Sequence, residues 1–174
     1  MKAQSMNKNK IEYLGRSLLT TGAVYVLTAF HHYYGAVLYQ SPWRKDVVWQ
    51  GGIIFLFCLL LLYLYKRFQK KLYLMLYLLI SFLVFGFAIG IVEGAYNHVL
   101  KNIFYFAGMN IGTWRKLFPA PAYEIPDNWL FETTGILQCV IGIIQVRYLW
   151  KVYITKYKKS QQISGQHKNR LAIK

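Results

Sequence analysis

Acidic residues are scarce in this sequence, which has six Asp or Glu against 21 Lys or Arg and a formal net charge of +15. Cysteine is scarcer still. Cys58 and Cys139 each stand alone within an apolar stretch and form no Cys-x-x-Cys pair, which argues against a zinc ribbon or a dithiol redox centre. The spacing His-Glu-x-x-His is also missing, so a metal site would have to be assembled from separate segments.

Long polar stretches are few, and 56% of the residues are hydrophobic, with a mean hydropathy of +0.27. This composition is too apolar for an ordinary soluble chain of this size. We therefore predict an all-α integral membrane protein with one four-helix transmembrane domain at 17–150. The predicted spans are 17–39, 47–65, 72–95 and 129–150.

The basic residues are concentrated at both ends of the chain and in the short turn between the second and third predicted spans. By the positive-inside rule, the lead 1–16 and the basic tail 151–174 are both cytoplasmic. We expect a multi-pass protein of the bacterial inner (plasma) membrane. The basic face is expected to contact anionic lipid headgroups, and the position of these charges argues against a nucleic-acid partner.

Small residues follow a strict spacing in the third predicted span, where Gly86, Gly90 and Gly94 lie four residues apart. Such a GxxxG ridge lets a neighbouring backbone approach closely, and it suggests a homo- or hetero-oligomer contact. The outer loop 96–128 is long enough to have structure of its own. Its prolines predict a stiff, extended path that lies over the end of the bundle.

Polar and ionisable residues recur at one depth, near the outer ends of the first, third and fourth spans. Residues of this kind inside a membrane face protein or water rather than lipid. Their convergence predicts a one-sided polar pocket. The predicted ligand-binding residues are His31, His32, Glu93, Asn97, His98 and Glu132.

Imidazole and carboxylate groups suit a divalent metal such as Zn²⁺, Fe²⁺ or Mn²⁺. The metal ligands predicted from the sequence are His32, Glu93 and Glu132. The same three residues are candidate catalytic groups, because a carboxylate and an imidazole can exchange a proton with a substrate without a metal. Structural roles are also open: Glu132 can complement a helix N-terminus, and Glu93 can form an ion pair.

Three functions are consistent with these patterns. The first is a membrane protein that binds a small polar ligand or a divalent cation in the pocket. The second is a membrane-embedded enzyme that acts on a lipid-like substrate, and the third is a non-catalytic subunit of a membrane complex. Because the acids lie towards one face, the pattern favours a one-sided site over transport through the bundle.

Overall fold

The computed structural model describes the backbone of residues 2–172 and the side chains of residues 11–156. Side chains of the predicted lead before Ile11 and of the predicted tail after Lys156 lie outside the described residues. Within the described backbone the chain is helical and contains no strand, so the predicted all-α class is confirmed. The helices are α1 (Lys2–Leu38), α2 (Arg44–Phe68), α3 (Lys71–Phe106), α4 (Ile111–Leu117) and α5 (Trp129–Ala172).

Three helical segments are long and apolar enough to cross a membrane: α2, α3 and Trp129–Lys156 of α5. This is consistent with a membrane protein. The remaining predicted span, 17–39, lies within α1. That segment is less apolar because threonines, tyrosines, His31 and His32 interrupt it, so the four-span topology stays a prediction.

The third helix continues beyond residue 95, where its span was predicted to end, and stops at Phe106. Gly108 ends the helical path with a φ of +81°, a conformation that favours glycine. The Asn110 side chain then accepts hydrogen bonds from the backbone N–H groups of Gly112 and Thr113 and begins α4. The outer loop is therefore largely helical as far as Leu117, and it is followed by the proline segment (residues 118–128).

Part of α3 is wound more widely than an α-helix: Ser81–Leu100 is π-helical, between α-helical turns at Lys71–Ile80 and Lys101–Phe106. A π-helix is bonded from i to i+5, so its turn contains more residues. The buried positions of this segment recur mainly every four or five residues. They are Ser81, Phe85, Gly86, Ile89, Gly90, Gly94 and His98.

The glycine ridge of α3 packs against α5 of the same chain. A Cβ added at Gly90 would lie 3.0 Å from the Cα of Gly142, and a Cβ at Gly94 would collide with the backbone of Cys139. Glycine therefore permits the close approach of the two helices. An oligomer contact through the same ridge stays a prediction.

Hydrogen bonds between α1 and α5 show that these helices are antiparallel. The Arg16 guanidinium donates to the Tyr148 hydroxyl at 3.1 Å, and the Gln145 amide donates to Thr21 Oγ1 at 3.1 Å. Further along α1, His31 Nδ1 lies 2.9 Å from Thr134 Oγ1. The end of α1 and the beginning of α5 therefore meet at one end of the bundle, here called the site end.

Candidate functional site

Three potential metal ligands converge at the site end from α1 and α3. Glu93 Oε1 lies 3.6 Å from His31 Nε2 and 3.5 Å from His98 Nε2. All three ligand atoms lie within 4.8 Å of one another. His31, Glu93 and His98, here called the His/Glu cluster, form a group that can hold a metal ion.

A hydrogen bond to Thr134 sets the tautomer of the neutral His31 ring. The Thr134 hydroxyl lies 2.9 Å from the backbone carbonyls of Leu130 and Phe131 and gives its single hydrogen to one of them. Its oxygen then accepts from His31 Nδ1, 2.9 Å away. In the neutral imidazole, Nε2 of His31 therefore carries a lone pair, and this atom is buried without a hydrogen-bond partner.

His98 is oriented in the same manner by a carboxylate. Glu132 Oε2 accepts from His98 Nδ1 at 2.8 Å, while Glu132 Oε1 accepts from Lys101 Nζ at 2.7 Å. Lys101 holds the carboxylate ionised, so the proton of the neutral His98 ring lies on Nδ1 and the lone pair on Nε2. The side chains of His98, Glu132 and Lys101 are all buried.

The rings are also held by packing. Phe131 stacks on His31 with ring centroids 4.1 Å apart and meets the His98 ring edge-on at 5.2 Å. Gly135 leaves room for His98, because a Cβ added there would overlap the imidazole. One turn of α5 therefore contributes the Phe131 ring that stacks on His31, the Thr134 hydroxyl that accepts from it, and the space at Gly135 that the His98 ring occupies.

When both imidazoles are neutral, these contacts leave three electron-pair donors facing one another with no hydrogen between them. Ligands about 2.1 Å from a tetrahedral metal ion lie about 3.4 Å apart. The distances of 3.5 and 3.6 Å from Glu93 Oε1 to the two imidazole nitrogens are close to that spacing. A cation between the three atoms would remove their mutual repulsion.

Two further predicted residues border the cluster. His32 Nε2 lies 3.8 Å from Glu93 Oε1, and its Nδ1 is buried without a hydrogen-bond partner. Asn97 donates from Nδ2 to Glu93 Oε2 at 2.7 Å, which orients the carboxylate and leaves Oε1 facing the imidazoles. His32 is thus placed as an additional ligand, and Asn97 as a positioning residue.

A cavity of about 270 Å³ lies beside the cluster, and His32 and Glu93 form part of its wall. Arg44 and Val47 of α2, together with Trp43 just before that helix, line one side, and Ala88 and Ile89 of α3 line another. The wall is therefore mostly apolar away from the cluster. The proline segment borders the cavity through Ala122 and Tyr123.

Three cations from three helices hold consecutive carbonyl groups of the proline segment. Each donates one hydrogen bond, and the lengths range from 3.0 to 3.4 Å. The segment is thereby fixed above the cluster. The pairs are Arg44 with Ala122, Arg115 with Tyr123 and Lys101 with Glu124.

The Tyr123 phenol of the proline segment lines the same cavity. Partial burial raises its pKa, and the electrostatic influence of Tyr96 and of the Glu93 carboxylate raises it further. The phenol is consequently protonated at neutral pH and can act as a hydrogen-bond donor to a bound ligand.

The structure thus brings His31, His32, Glu93 and His98 together, and it links Glu132 to them through His98. Glu132 does not reach the other ligand atoms directly, because Lys101 and His98 occupy its two oxygens. Sequence reasoning did not assign Thr134 and Phe131 to the site. Helical spacing was the signal that could have found them. Thr134 lies one turn after Leu130, and Gly135 lies one turn after Phe131, on the α5 face that meets His31 and His98.

Comparisons with known proteins add nothing to this geometry. No protein-family model, curated protein or solved structure matches the chain, so its function is argued from the site itself.

Proposed function

We propose that this protein binds one divalent transition-metal ion in the His/Glu cluster, through His31 Nε2, His98 Nε2 and Glu93 Oε1. The observation that carries the proposal is the fixed orientation of both imidazoles. Thr134 and Glu132 each take the Nδ1 hydrogen of one ring, so the Nε2 lone pairs are turned towards Glu93. Such outer hydrogen bonds are typical of metal-ligating histidines.

Zn²⁺ is the ion that fits this donor set best. Two imidazoles and one carboxylate match zinc sites that keep a fourth position open, whereas Ca²⁺ and Mg²⁺ prefer oxygen ligands. Fe²⁺ and Mn²⁺ accept the same donors with a higher coordination number. His32, with its Nε2 3.8 Å from Glu93 Oε1, is the described side chain best placed to complete such a shell.

The proposed site is one-sided. It lies at the site end of the bundle, next to the cavity under the proline segment. The distribution of basic residues supports an orientation in which this end faces away from the cytoplasm, across a bacterial inner (plasma) membrane. The ion or a small polar ligand would then enter from the non-cytoplasmic side.

A second candidate function is a membrane-embedded hydrolytic or acid–base enzyme. The adjoining cavity of about 270 Å³ favours this reading, because it offers room for a substrate beside the open metal position. A zinc-bound water is a strong nucleophile near neutral pH. Tyr123 and His32, which line the cavity, would be the groups available to donate or accept a proton.

Metal analysis of the purified protein tests the proposal. The full chain, extracted in a neutral detergent and freed of loosely bound ions, should contain one equivalent of Zn, Fe or Mn. Glu93→Ala should lose it, whereas Asp46→Asn, which removes an exposed carboxylate on α2, should retain it. Equal metal content in the wild type and Glu93→Ala would contradict the site, as would a wild-type chain that takes up no ion from zinc-containing buffer.

A further inference from the structure

The cavity beside the His/Glu cluster contains a buried cation that the proposed metal site does not use. Arg44 is 3% exposed, and its guanidinium packs over the rings of Trp43 and Phe131 at 4.8 and 5.3 Å. It lies at the start of α2, opposite the α3 residues that form the far wall. Arg44 therefore places a positive charge between an apolar wall and the metal ligands.

The hydrogen bonds of Arg44 leave part of the guanidinium free. Nε donates to Ser41 Oγ at 2.8 Å, and Nη2 donates to the Ala122 carbonyl at 3.4 Å. The Glu124 carboxylate lies 4.0 Å from Nη2, beyond hydrogen-bond distance. Nη1 makes no hydrogen bond to any residue whose side chain is described. A buried guanidinium with unused donors is suited to binding a carboxylate or a phosphate.

The net charge of the metal-bound site also favours an anionic ligand. The five charged side chains that border the cluster or pair with its neighbours, Arg44, Glu93, Lys101, Glu124 and Glu132, carry one net negative charge. A divalent ion between the cluster ligands changes this to one net positive charge. Charge in a poorly hydrated pocket is stable only when it is paired, so the loaded site favours a single negative charge on its ligand.

The shape of the cavity indicates what else the ligand contains. Val47 of α2 and Ala88 and Ile89 of α3 supply apolar walls, together with Trp43 just before α2. Both helices are long and apolar enough to cross a membrane. A volume of about 270 Å³ accommodates a small head group and the first carbons of a chain, since drug-sized ligands occupy pockets of about 300–1,000 Å³. A longer chain would have to continue between α2 and α3 into the bilayer.

We propose that the cavity binds a single-chain amphiphile with a monoanionic carboxylate head, its carboxylate lying between Arg44 and the metal ion and its chain between α2 and α3. This inference rests on the proposed metal site and names the class of ligand that site would take. The carboxylate fills the open metal position and accepts from the free Arg44 donors. The chain replaces lipid or water against the apolar wall.

Cobalt provides a direct readout, because the visible absorption of protein-bound Co²⁺ changes with its ligands. The full chain in nanodiscs of zwitterionic lipid would be loaded with Co²⁺ and titrated with decanoate, acetate and decanol. We expect a saturable spectral shift with decanoate at concentrations at least about tenfold lower than with acetate, and no shift with decanol. Acetate acting as well as decanoate would overturn the amphiphile and leave a site for small soluble anions.

Two variants test the two halves of the pocket. Arg44→Gln should weaken decanoate binding about tenfold or more while the cobalt band persists, and Lys45→Gln, which removes an exposed neighbouring charge, should not. Should Arg44→Gln fail to fold, Ala88→Phe remains. This variant fills part of the cavity next to its apolar wall, so it should weaken the binding of decanoate but not of acetate.

The outcomes separate the two proposals. A wild-type chain that takes up cobalt but gives no spectral change with decanoate overturns the amphiphile and leaves the metal site standing. A chain that takes up no cobalt overturns both. Decanoate binding that is unchanged in both Arg44→Gln and Ala88→Phe also overturns the pocket assigned here.

Discussion

Replacement of Glu93 by glutamine is predicted to change stability in opposite directions with and without metal. In the metal-free protein with both rings neutral, Glu93 Oε1 faces the Nε2 lone pairs of His31 and His98 at 3.6 and 3.5 Å. The amide of Gln places N–H donors where the carboxylate has only acceptors, and it removes a charge that is 19% exposed. Glu93→Gln should therefore stabilise the empty protein and weaken the metal-bound one.

The expected changes in the free energy of unfolding follow from the groups involved. Satisfying a buried polar atom that previously had no partner contributes about 1–3 kcal/mol. Zinc at a hundredfold excess over its dissociation constant stabilises the wild type by about 2.7 kcal/mol. For a chain of this size, 1 kcal/mol corresponds to a shift of about 2–4 °C in Tm. The metal-free variant should melt a few degrees above the wild type, and added zinc should reverse the order.

Thermal unfolding in detergent, measured with excess chelator and with excess zinc, provides the four Tm values. Asp46→Asn is the matched control, because it makes the same chemical change at an exposed site, and its zinc-dependent shift should equal that of the wild type. The reasoning is refuted if Glu93→Gln keeps the full zinc-dependent shift. It is also refuted if the variant is less stable than the wild type in chelator, since the carboxylate would then be stabilising the empty cluster.

Three further predictions concern residues around the cluster. Gly135→Ala should lower zinc affinity at least about tenfold, because the added Cβ would displace the His98 ring. Gly15→Ala is the control, because a Cβ there meets nothing within 4 Å and should leave zinc affinity unchanged. Competition with a chelating dye measures the zinc affinity of both variants. Thr134→Val should reduce zinc affinity about 10–100-fold in the same assay while changing Tm in chelator by a few degrees at most, and an unchanged affinity would show that Thr134 does not set the His31 tautomer. Lys101→Met should destabilise the metal-free protein by about 3–5 kcal/mol in a denaturation assay, because the Glu132 carboxylate loses its buried ammonium partner at 2.7 Å. A loss under about 1 kcal/mol would contradict this expectation.

The apolar runs were enough to predict an all-helical chain and three of the segments that can span a membrane. Composition and length decide these features, and neither depends on neighbouring elements. The third helix continues past residue 95, the predicted end of its span, as far as Phe106, and Gly108 follows it. Nothing local in that sequence ends the helix earlier.

The composition of the cluster shows what helical periodicity misses. Steps of three and four residues link Gly90, Glu93 and Asn97 on one face of a regular α-helix. The wider π-helical turn instead buries Gly94 and His98 together, while Glu93 and Asn97 are partly exposed. No sequence pattern predicted this winding. Gly90 and Gly94 of the π-helical segment pack closely against Gly142 and Cys139.

The paired histidines gave a second instructive difference. Adjacent residues on a straight helix point about 100° apart, so the helix alone does not direct two neighbouring imidazoles to one point. Both rings nevertheless approach Glu93 Oε1, at 3.6 and 3.8 Å, because the carboxylate lies between the two directions. The positions of side chains on α3 and α5, which the sequence of α1 cannot reveal, decide this geometry.

X-ray absorption spectroscopy of the zinc-loaded chain tests the central claim most directly, since it reports the atoms bound to the ion. We predict a first shell of nitrogen and oxygen at about 2.0–2.1 Å, with the multiple scattering of two imidazoles that falls to one in His98→Gln. A shell of oxygen atoms alone, or a sulfur ligand near 2.3 Å, would contradict the site formed by His31, Glu93 and His98.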